Sequence, residues 1–365
     1  MLAIFGDIHL TKRIWTKADI LDDASTSLQQ AVDICLENKY DAVFLGDQFD
    51  SNYPPVEMVQ LWCNAVETLT SAGLNVYTID GNHDPGQQRT EYQEERSWTK
   101  IHPKTIHIDN KIVDCNGITV AGYDFRAAST ASTIVESIEN SDADIYCMHQ
   151  FPRQYKFIDV ENAWDIDLDK LTKPKTIFCG HIHDNYEADL DGGGRLYVVG
   201  STNPRSIAET AAKAYYVVDK AAGKLKVVKK KLESRIIKVF NFHTTDDFDK
   251  EFEALEEFCK PRKAMKYTAI SKPIACIFYD ALNSDLFQSI VGKTNDRVHI
   301  FWRPKFKHVA LASSVVDRSA VTLSDVICKV VEETDMKMTM LKLCNDPDLS
   351  EEYLDEYATT IETEK

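Results

Sequence analysis

What the sequence lacks removes several classes at once. It has no uninterrupted apolar run of about 18 residues, and no basic region precedes the short apolar stretch of Met-Leu-Ala-Ile-Phe-Gly-Asp at its start. Neither a membrane span nor a secretory signal is expected, so a soluble cytoplasmic protein is. Nine cysteines stand at 35, 63, 115, 147, 179, 259, 276, 328 and 344 without a Cys-x-x-Cys, which argues against a disulfide framework and a zinc ribbon. Most of them sit in apolar runs, as small core residues do. No internal repeat or long low-complexity tract is present. An excess of positive charge is also missing: 42 Lys and Arg against 58 Asp and Glu give −16, which argues against binding nucleic acid through global charge.

A chain of 365 residues, 44% hydrophobic and 27% charged, supports one large domain plus a smaller appendage. Residues 1–200 carry 16 basic against 32 acidic side chains, residues 201–235 carry 9 against 3, and residues 236–343 carry 16 against 15. The tail 344–365 holds eight acids and one lysine. Short apolar runs at Leu2–Phe5, Ala42–Leu45, Val76–Ile79, Asp144–Met148 and Thr176–Cys179 predict strands. Leu28, Ala31, Val32, Cys35 and Leu36 repeat at helical spacing, with Ser27 and Gln30 placed as a capping box. A second helix opens at Pro54-Pro55, carries Val59, Trp62, Val66 and Leu69, and closes at Gly73. The alternation predicts a layered α/β domain that a hairpin, Ala214–Asp219 with Lys224–Leu232, ends near residue 235. From Ile236 the pattern restarts with strands at 236–242, 274–280 and 297–303 and helices near 246–259 and 284–292, which predicts a small α/β domain over 236–343. A further helix is expected at 322–331, and Met336, Met338 and Met340 alternate beyond it.

A polar cluster follows each of the five apolar runs: Asp7-Ile8-His9, Gly46-Asp47-Gln48-Phe49-Asp50, Gly81-Asn82-His83-Asp84, His149-Gln150 and Gly180-His181-Ile182-His183. Singly, each reads as a turn with a helix cap. In an open α/β sheet, however, ligands gather beyond the carboxyl ends of the strands, so the clusters are expected to converge on one sheet edge. Asp7, His9, Asp47, Asn82, His149, His181 and His183 offer only oxygen and imidazole nitrogen, the donors that suit divalent manganese, zinc or iron. Such a set would be an expensive collection of polar groups to bury without a purpose.

These residues resemble the calcineurin-like metallophosphoesterases, whose pattern D-x-H, G-D-x-x-D, G-N-H-D, H, G-H-x-H has every member here, over about residues 1–235. Asp7-Ile8-His9-Leu10, His149-Gln150-Phe151 and Gly200-Ser201 before Pro204-Arg205-Ser206 are similar to the SbcD-type nuclease branch, which works with an SbcC-like coiled-coil ATPase in DNA break repair. The chain is compact for that branch, like its phage-encoded forms, for which the compartment is the host cytoplasm. The resemblance implies a layered metallophosphoesterase β-sandwich flanked by helices and a smaller α/β capping domain. It also implies a homodimer within a heterotetramer and two divalent ions, with manganese expected. One ion would be held by Asp7, His9, Asp47 and His183, the other by Asp47, Asn82, His149 and His181, with Asp47 bridging. His83 would stabilise the transition state or protonate the leaving oxygen. Asp50 is expected to orient His83 through its carboxylate, and Asp84 reads as a turn group. His102, His107, His243, His299 and His308 lie outside the motifs and are expected at surface or core positions.

Two basic stretches offer themselves to a polynucleotide. Arg205 with Lys224, Lys226, Lys229, Lys230 and Lys231 is one, although alternating lysines on a hairpin also read as an edge protected from pairing. Val298–His308 is the other, combining Arg303, Lys305 and Lys307 with Phe301, Trp302 and Phe306; a strand with core aromatics explains it equally. In the tail, Leu349, Tyr353, Tyr357 and Ile361 recur every four residues, as a disordered tail or as a helix docking on a partner. The expected function is a manganese-dependent DNA exonuclease/endonuclease subunit. The alternatives are a phosphodiesterase of a small substrate such as a cyclic nucleotide, and a catalytically idle platform subunit.

Overall fold

The computed structural model describes residues 1–11, 23–84, 97–155, 164–242, 248–279 and 297–304. The chain divides into two compact units, Met1–Lys305 and Phe306–Lys365, and the described residues all belong to the first. The helices expected at 284–292 and 322–331, the methionine alternation and the acidic tail lie outside them.

Fifteen strands and four α-helices follow one another among the described residues: β1 (Leu2–Phe5), α1 (Asp23–Asn38), β2 (Asp41–Leu45), α2 (Val56–Ser71), β3 (Val76–Ile79), β4 (Thr105–His107), β5 (Lys111–Cys115), β6 (Ile118–Tyr123), α3 (Ser132–Asn140), β7 (Ile145–His149), β8 (Thr176–Gly180), β9 (Tyr186–Asp189), β10 (Arg195–Val198), β11 (Ala214–Ala221), β12 (Lys224–Lys231), β13 (Ile237–Phe242), α4 (Phe248–Phe258), β14 (Ile274–Tyr279) and β15 (His299–Pro304). They build two six-stranded sheets, ordered β12-β11-β1-β2-β3-β4 and β5-β6-β7-β8-β10-β9, and a three-stranded sheet β13-β14-β15. Strands β1 to β4 run parallel, as do β6, β7, β8 and β10.

The alternating positions of these strands divide among three cores. Leu2, Ile4, Val43, Leu45, Tyr77 and Ile79 of the first sheet meet Val120, Ile145, Cys147 and Phe178 of the second, filling the space between the sheets. Ala3, Phe5, Ala42, Phe44 and Val76 face the other way, onto α1 and α2. There Trp62 is fully buried, edge-on to Phe44 at 5.1 Å between ring centroids. Ala121, Tyr146, Met148, Ile177 and Cys179 cover α3 in the same manner. The result is a sandwich of two sheets with helices outside. Because both faces of the central strands β1, β2, β3, β7 and β8 are buried, their sequences read as near-continuous apolar runs rather than alternating ones.

The convergence on one sheet edge needs correction: β1, β2 and β3 belong to one sheet and β7 and β8 to the other. The five strand ends still meet because the sheets are stacked face to face. The capping box is also displaced. Helix α1 starts at Asp23, so Ser27 lies inside it, donating from Oγ to the Asp23 carbonyl oxygen at 2.9 Å. Gln30 instead clamps the main chain of Glu233, donating to its oxygen at 2.9 Å and accepting from its nitrogen at 2.8 Å.

The boundary expected near residue 235 falls inside the first unit. Arg235 pairs with Asp23 at the start of α1, both side chains 1% exposed, and donates to the carbonyl oxygens of Lys272 and Ala269 at 2.6 and 2.8 Å. A carboxylate at a helix N-terminus is favourably placed, and here it also ties α1 to the segment preceding β14. Strands β13, β14 and β15 are parallel, and α4 covers them through Leu255 and Phe258, with Cys259 just beyond its end. Phe301 is buried against Ile237, Ile274 and Cys276, so it is a core aromatic and is withdrawn from base stacking. No helix among the described residues is long and apolar enough to cross a membrane.

Candidate metal centre

All seven expected ligands lie among the described residues, and they gather in two groups. Asp7, His9 and His183 form one, and Asp47, His149 and His181 form the other. In the first, His9 Nε2 stands 3.1 Å from His183 Nε2, and His183 Nε2 lies 3.9 Å from Asp7 Oδ2. In the second, Asn82 Oδ1 is 2.9 Å from His181 Nδ1 and 3.2 Å from His149 Nε2. Asp47 joins the groups. Its Oδ1 accepts from the His83 main-chain nitrogen at 2.9 Å, which turns Oδ2 to lie 3.6 Å from His9 Nε2 and 3.3 Å from His149 Nε2.

Local backbone geometry explains how short clusters place these groups. His9, Asp47 and His181 all adopt positive φ, of 51°, 50° and 83°. This conformation is costly for residues with a side chain, and such strain is concentrated at functional sites. Gly180 precedes His181 because nothing larger fits: a Cβ there would stand 2.8 Å from Asp7 Oδ1 and 2.9 Å from His149 Nδ1. His149 Nδ1 donates to the Leu45 carbonyl oxygen at 2.7 Å, which locks the ring and leaves Nε2 facing Asp47 and Asn82.

Electrostatics separates the members. Burial works against charge on Asp47, but His149 and His9 outweigh it and hold the carboxyl below its usual range. Burial lowers His149 too, yet Asp47 and Asp7 prevail and raise it to about 10. Burial raises the Asp7 carboxyl. It lowers His9, and it lowers His181 to about 4 with the help of neighbouring His149. Neutral His9 and His181 rings are thereby favoured beside the ionised Asp47 carboxylate. Burial lowers His183 as well, but Glu209 and Asp7 prevail and raise it, so His149 and His183 are the rings that would give up a proton as an ion binds. Facing ring nitrogens and carboxylate oxygens about 3–4 Å apart are the spacing of donors that share a divalent ion at about 2.1 Å. The residues present fit two such ions.

His83 and Asp50 come together differently from the expectation. His83 Nδ1 donates to the main-chain oxygen of Asp50 at 2.8 Å. The Asp50 carboxylate is engaged by Arg205 and lies 3.5 Å from His9 Nδ1. Asp50 thus orients His83 through its backbone, and its side chain belongs to His9 and Arg205. Buried Asp84 accepts from the nitrogens of Phe49 and Gly81 at 3.1 and 2.8 Å, the turn role expected of it. Asp80, just before this loop, accepts from Ser97 Oγ and Thr99 Oγ1, each at 2.6 Å. With His107 and Asp124 it forms a further group of metal-ligand types that the motifs do not include.

Sequence reasoning missed three other contributors. Phe125 packs its ring 5.7 Å from His181, and no motif marks it. Glu209 and Lys213, four residues apart, reach His183, although only their spacing hints at a pair. Lys213, Arg205 and Arg235 are all spent on ion pairs, so the surplus charge of 201–235 rests on the lysines of edge strand β12.

Residues 1–185 match the calcineurin-like phosphoesterase family, and the chain belongs to it. Beyond the family, it is similar to proteins called DNA double-strand break repair protein Mre11. That of Sulfolobus acidocaldarius is 26% identical over 204 residues, 54% of this chain and 53% of the relative. That of Methanococcus maripaludis is 22% identical over 237 residues, 59% and 61%. That of Aeropyrum pernix is 34% identical over 87 residues, 24% and 21%. The chain thus spans about half the length of the first of these. Among solved structures, an archaeal phosphodiesterase aligns at 12% identity with a TM-score of 0.33, covering 63% of this chain and 99% of that one, too loose a likeness to bear on the fold.

Proposed function

We propose that the chain is a dimetal phosphodiesterase that cuts the DNA backbone, the nuclease subunit of an SbcC–SbcD-like break-processing complex. The observation that carries the reading is Asp47 Oδ2, within 3.6 Å of His9 and 3.3 Å of His149, joining two donor groups beside His83. Two divalent ions at such a site, manganese in this proposal, supply Lewis acidity toward a phosphoryl oxygen and acidify water near neutral pH. The chain's own residues do the rest. Asp7, His9, Asp47 and His183 hold one ion, and Asp47, Asn82, His149 and His181 the other. His83, with Nδ1 committed to the Asp50 oxygen, turns Nε2 to the substrate and delivers a proton to the leaving oxygen. Phe125 and Phe151 pack beside His181 and limit water on that side.

DNA as substrate rests on the Mre11 likeness and on the lysines of β12. The same proposal divides the chain into a catalytic part, 1–235, a capping part, 236–343, and a tail, 344–365, that meets a coiled-coil ATPase. It places the assembly, a homodimer within a heterotetramer, in the cytoplasm. The test offers labelled linear duplex, single-stranded DNA and a cyclic nucleotide, each with manganese, magnesium or no metal. Manganese-dependent cleavage of DNA is expected; hydrolysis of the cyclic nucleotide alone would overturn the nuclease reading.

A further inference from the structure

The 1–185 family match ends before the donor set is fully supported. The segment from Ser201 to Lys213, between β10 and β11, returns to the metal centre and makes a series of hydrogen bonds to it. Thr202 N donates to the Asp7 carbonyl oxygen at 2.9 Å, and Asn203 Nδ2 to that of Ile8 at 3.0 Å. Arg205 Nη1 donates to the His9 oxygen at 3.1 Å while its other nitrogen holds the Asp50 carboxylate. Ser201 N donates to the His183 oxygen at 3.1 Å. Three consecutive residues of the first motif and one histidine of the last are thereby tied to a single strap.

The strap also reaches a ligand side chain. Glu209 Oε1 accepts from His183 Nδ1 at 3.0 Å, and Glu209 Oε2 accepts from Lys213 Nζ at 2.6 Å and from Ser201 Oγ at 3.2 Å. Both carboxylate oxygens are therefore committed. Because a carboxylate only accepts, the ring carries a hydrogen on Nδ1, and Nε2 is the nitrogen that faces His9 Nε2, 3.1 Å away. Lys213 is 1% exposed, an ammonium group that would be costly to bury without partners. It has one for each of its hydrogens: Glu209 Oε2, the His183 carbonyl oxygen at 3.0 Å and Ser201 Oγ at 2.9 Å. One buried lysine thus grips the main chain of His183 and the carboxylate that aims its ring.

His149 and His181 are secured otherwise. His149 is held by Leu45, and the His181 main-chain nitrogen donates to the Asp7 carboxylate at 3.1 Å. Among the described residues, the strap's hydrogen bonds to the metal centre go to Asp7, Ile8, His9, Asp50 and His183.

We infer that Ser201–Lys213 is a brace for one of the two metal positions, with Glu209, fixed by buried Lys213, as the positioning residue that sets the tautomer and direction of His183. The inference rests on the dimetal reading and adds that the two positions are tuned separately. A carboxylate behind a ligating histidine raises metal affinity by about 10- to 100-fold. Glu209→Ala is expected to weaken one of two Mn2+ binding steps by that factor and leave the other within about threefold. Glu209→Gln, which keeps an oxygen for His183 Nδ1 but loses the attraction to Lys213, falls between the two.

The experiment titrates Mn2+ alone into the metal-stripped full chain by calorimetry. Electron paramagnetic resonance then distinguishes a spin-coupled pair of ions from single ones. At Mn2+ that saturates both positions of the parent, Glu209→Ala should show single ions where the parent shows the pair, and Glu209→Gln should recover part of the pair signal. Circular dichroism of each metal-free chain checks folding; if Glu209→Ala does not fold, Glu209→Gln alone decides, by weakening one step or not. Equal weakening of both steps, or no change in either, would overturn the brace while leaving the dimetal reading intact. A parent chain that binds fewer than two ions would overturn the dimetal reading itself, and the brace with it.

Discussion

The two halves of the metal centre are built in different ways. The half around Asp47, His149 and His181 grows from the sandwich interior: His149 is wholly buried at the end of β7 and bonded across to β2. In the half around Asp7, His9 and His183, the two residues of the first motif are equally buried, but His183 stands at the rim with its side chain 30% exposed, and residues 201–213 complete the support. In the interior half, ligation and folding share the same hydrogen bonds. At the rim, ligation depends on contacts added from outside the motif. Asp47 belongs to both.

Asp47→Ala should produce the largest effect, since it removes the shared oxygen. Turnover is expected to fall on the order of 10³-fold or more, with loss of both ions by metal analysis; retention of either ion at parental affinity would show that the halves do not share it. His83→Ala comes next. Turnover should fall about 10²- to 10⁴-fold, the range for a lost general acid, with two ions still bound. Equal metal loss in His83→Ala and Asp47→Ala would show the assigned roles to be wrong.

A smaller effect separates the halves directly. In the metal-free chain, His149→Ala removes the bond to Leu45 and strands a buried acceptor, which costs about 1–3 kcal/mol. His183→Ala, partly exposed, should cost under about 1 kcal/mol because Glu209 keeps Lys213 and Ser201. Chemical denaturation checks the order, and a reversed order would undo the interior-and-rim distinction. Smallest of all, Lys230→Ala on edge strand β12 should move stability by no more than about 0.5 kcal/mol and leave metal binding unchanged in both halves.

The interior half was the more legible one in the sequence. The runs that became β1, β2, β3, β7 and β8 are nearly continuous in apolar residues because the strands are buried on both faces, and each ends where a polar cluster begins. The motif then supplied the ligands. What sequence could not convey was pairing between distant strands. It suggested one sheet edge where two sheets meet, and no apolar run announced β4 or β5. Helix α1 was misplaced at its start because the group that makes Asp23 a favourable first residue is Arg235, far along the chain. Ser27 and Gln30 have the spacing of a cap, but spacing is silent about a helix already begun. Asp50 failed for a related reason: a carboxylate three residues from a ligand invites a side-chain role, while the contact to His83 comes from its main chain. At the rim, Glu209 and Lys213 carried no motif, and only the fold brings them beneath His183.

The central claim is that two divalent ions share Asp47, one in each half. Crystals of the full chain soaked in Mn2+ and measured by anomalous diffraction test it most directly. The account predicts two peaks about 3.5–4 Å apart, on either side of Asp47 Oδ2, one beside Asp7, His9 and His183 and the other beside Asn82, His149 and His181. A single peak, or a pair located elsewhere, such as at Asp80, His107 and Asp124, would contradict it.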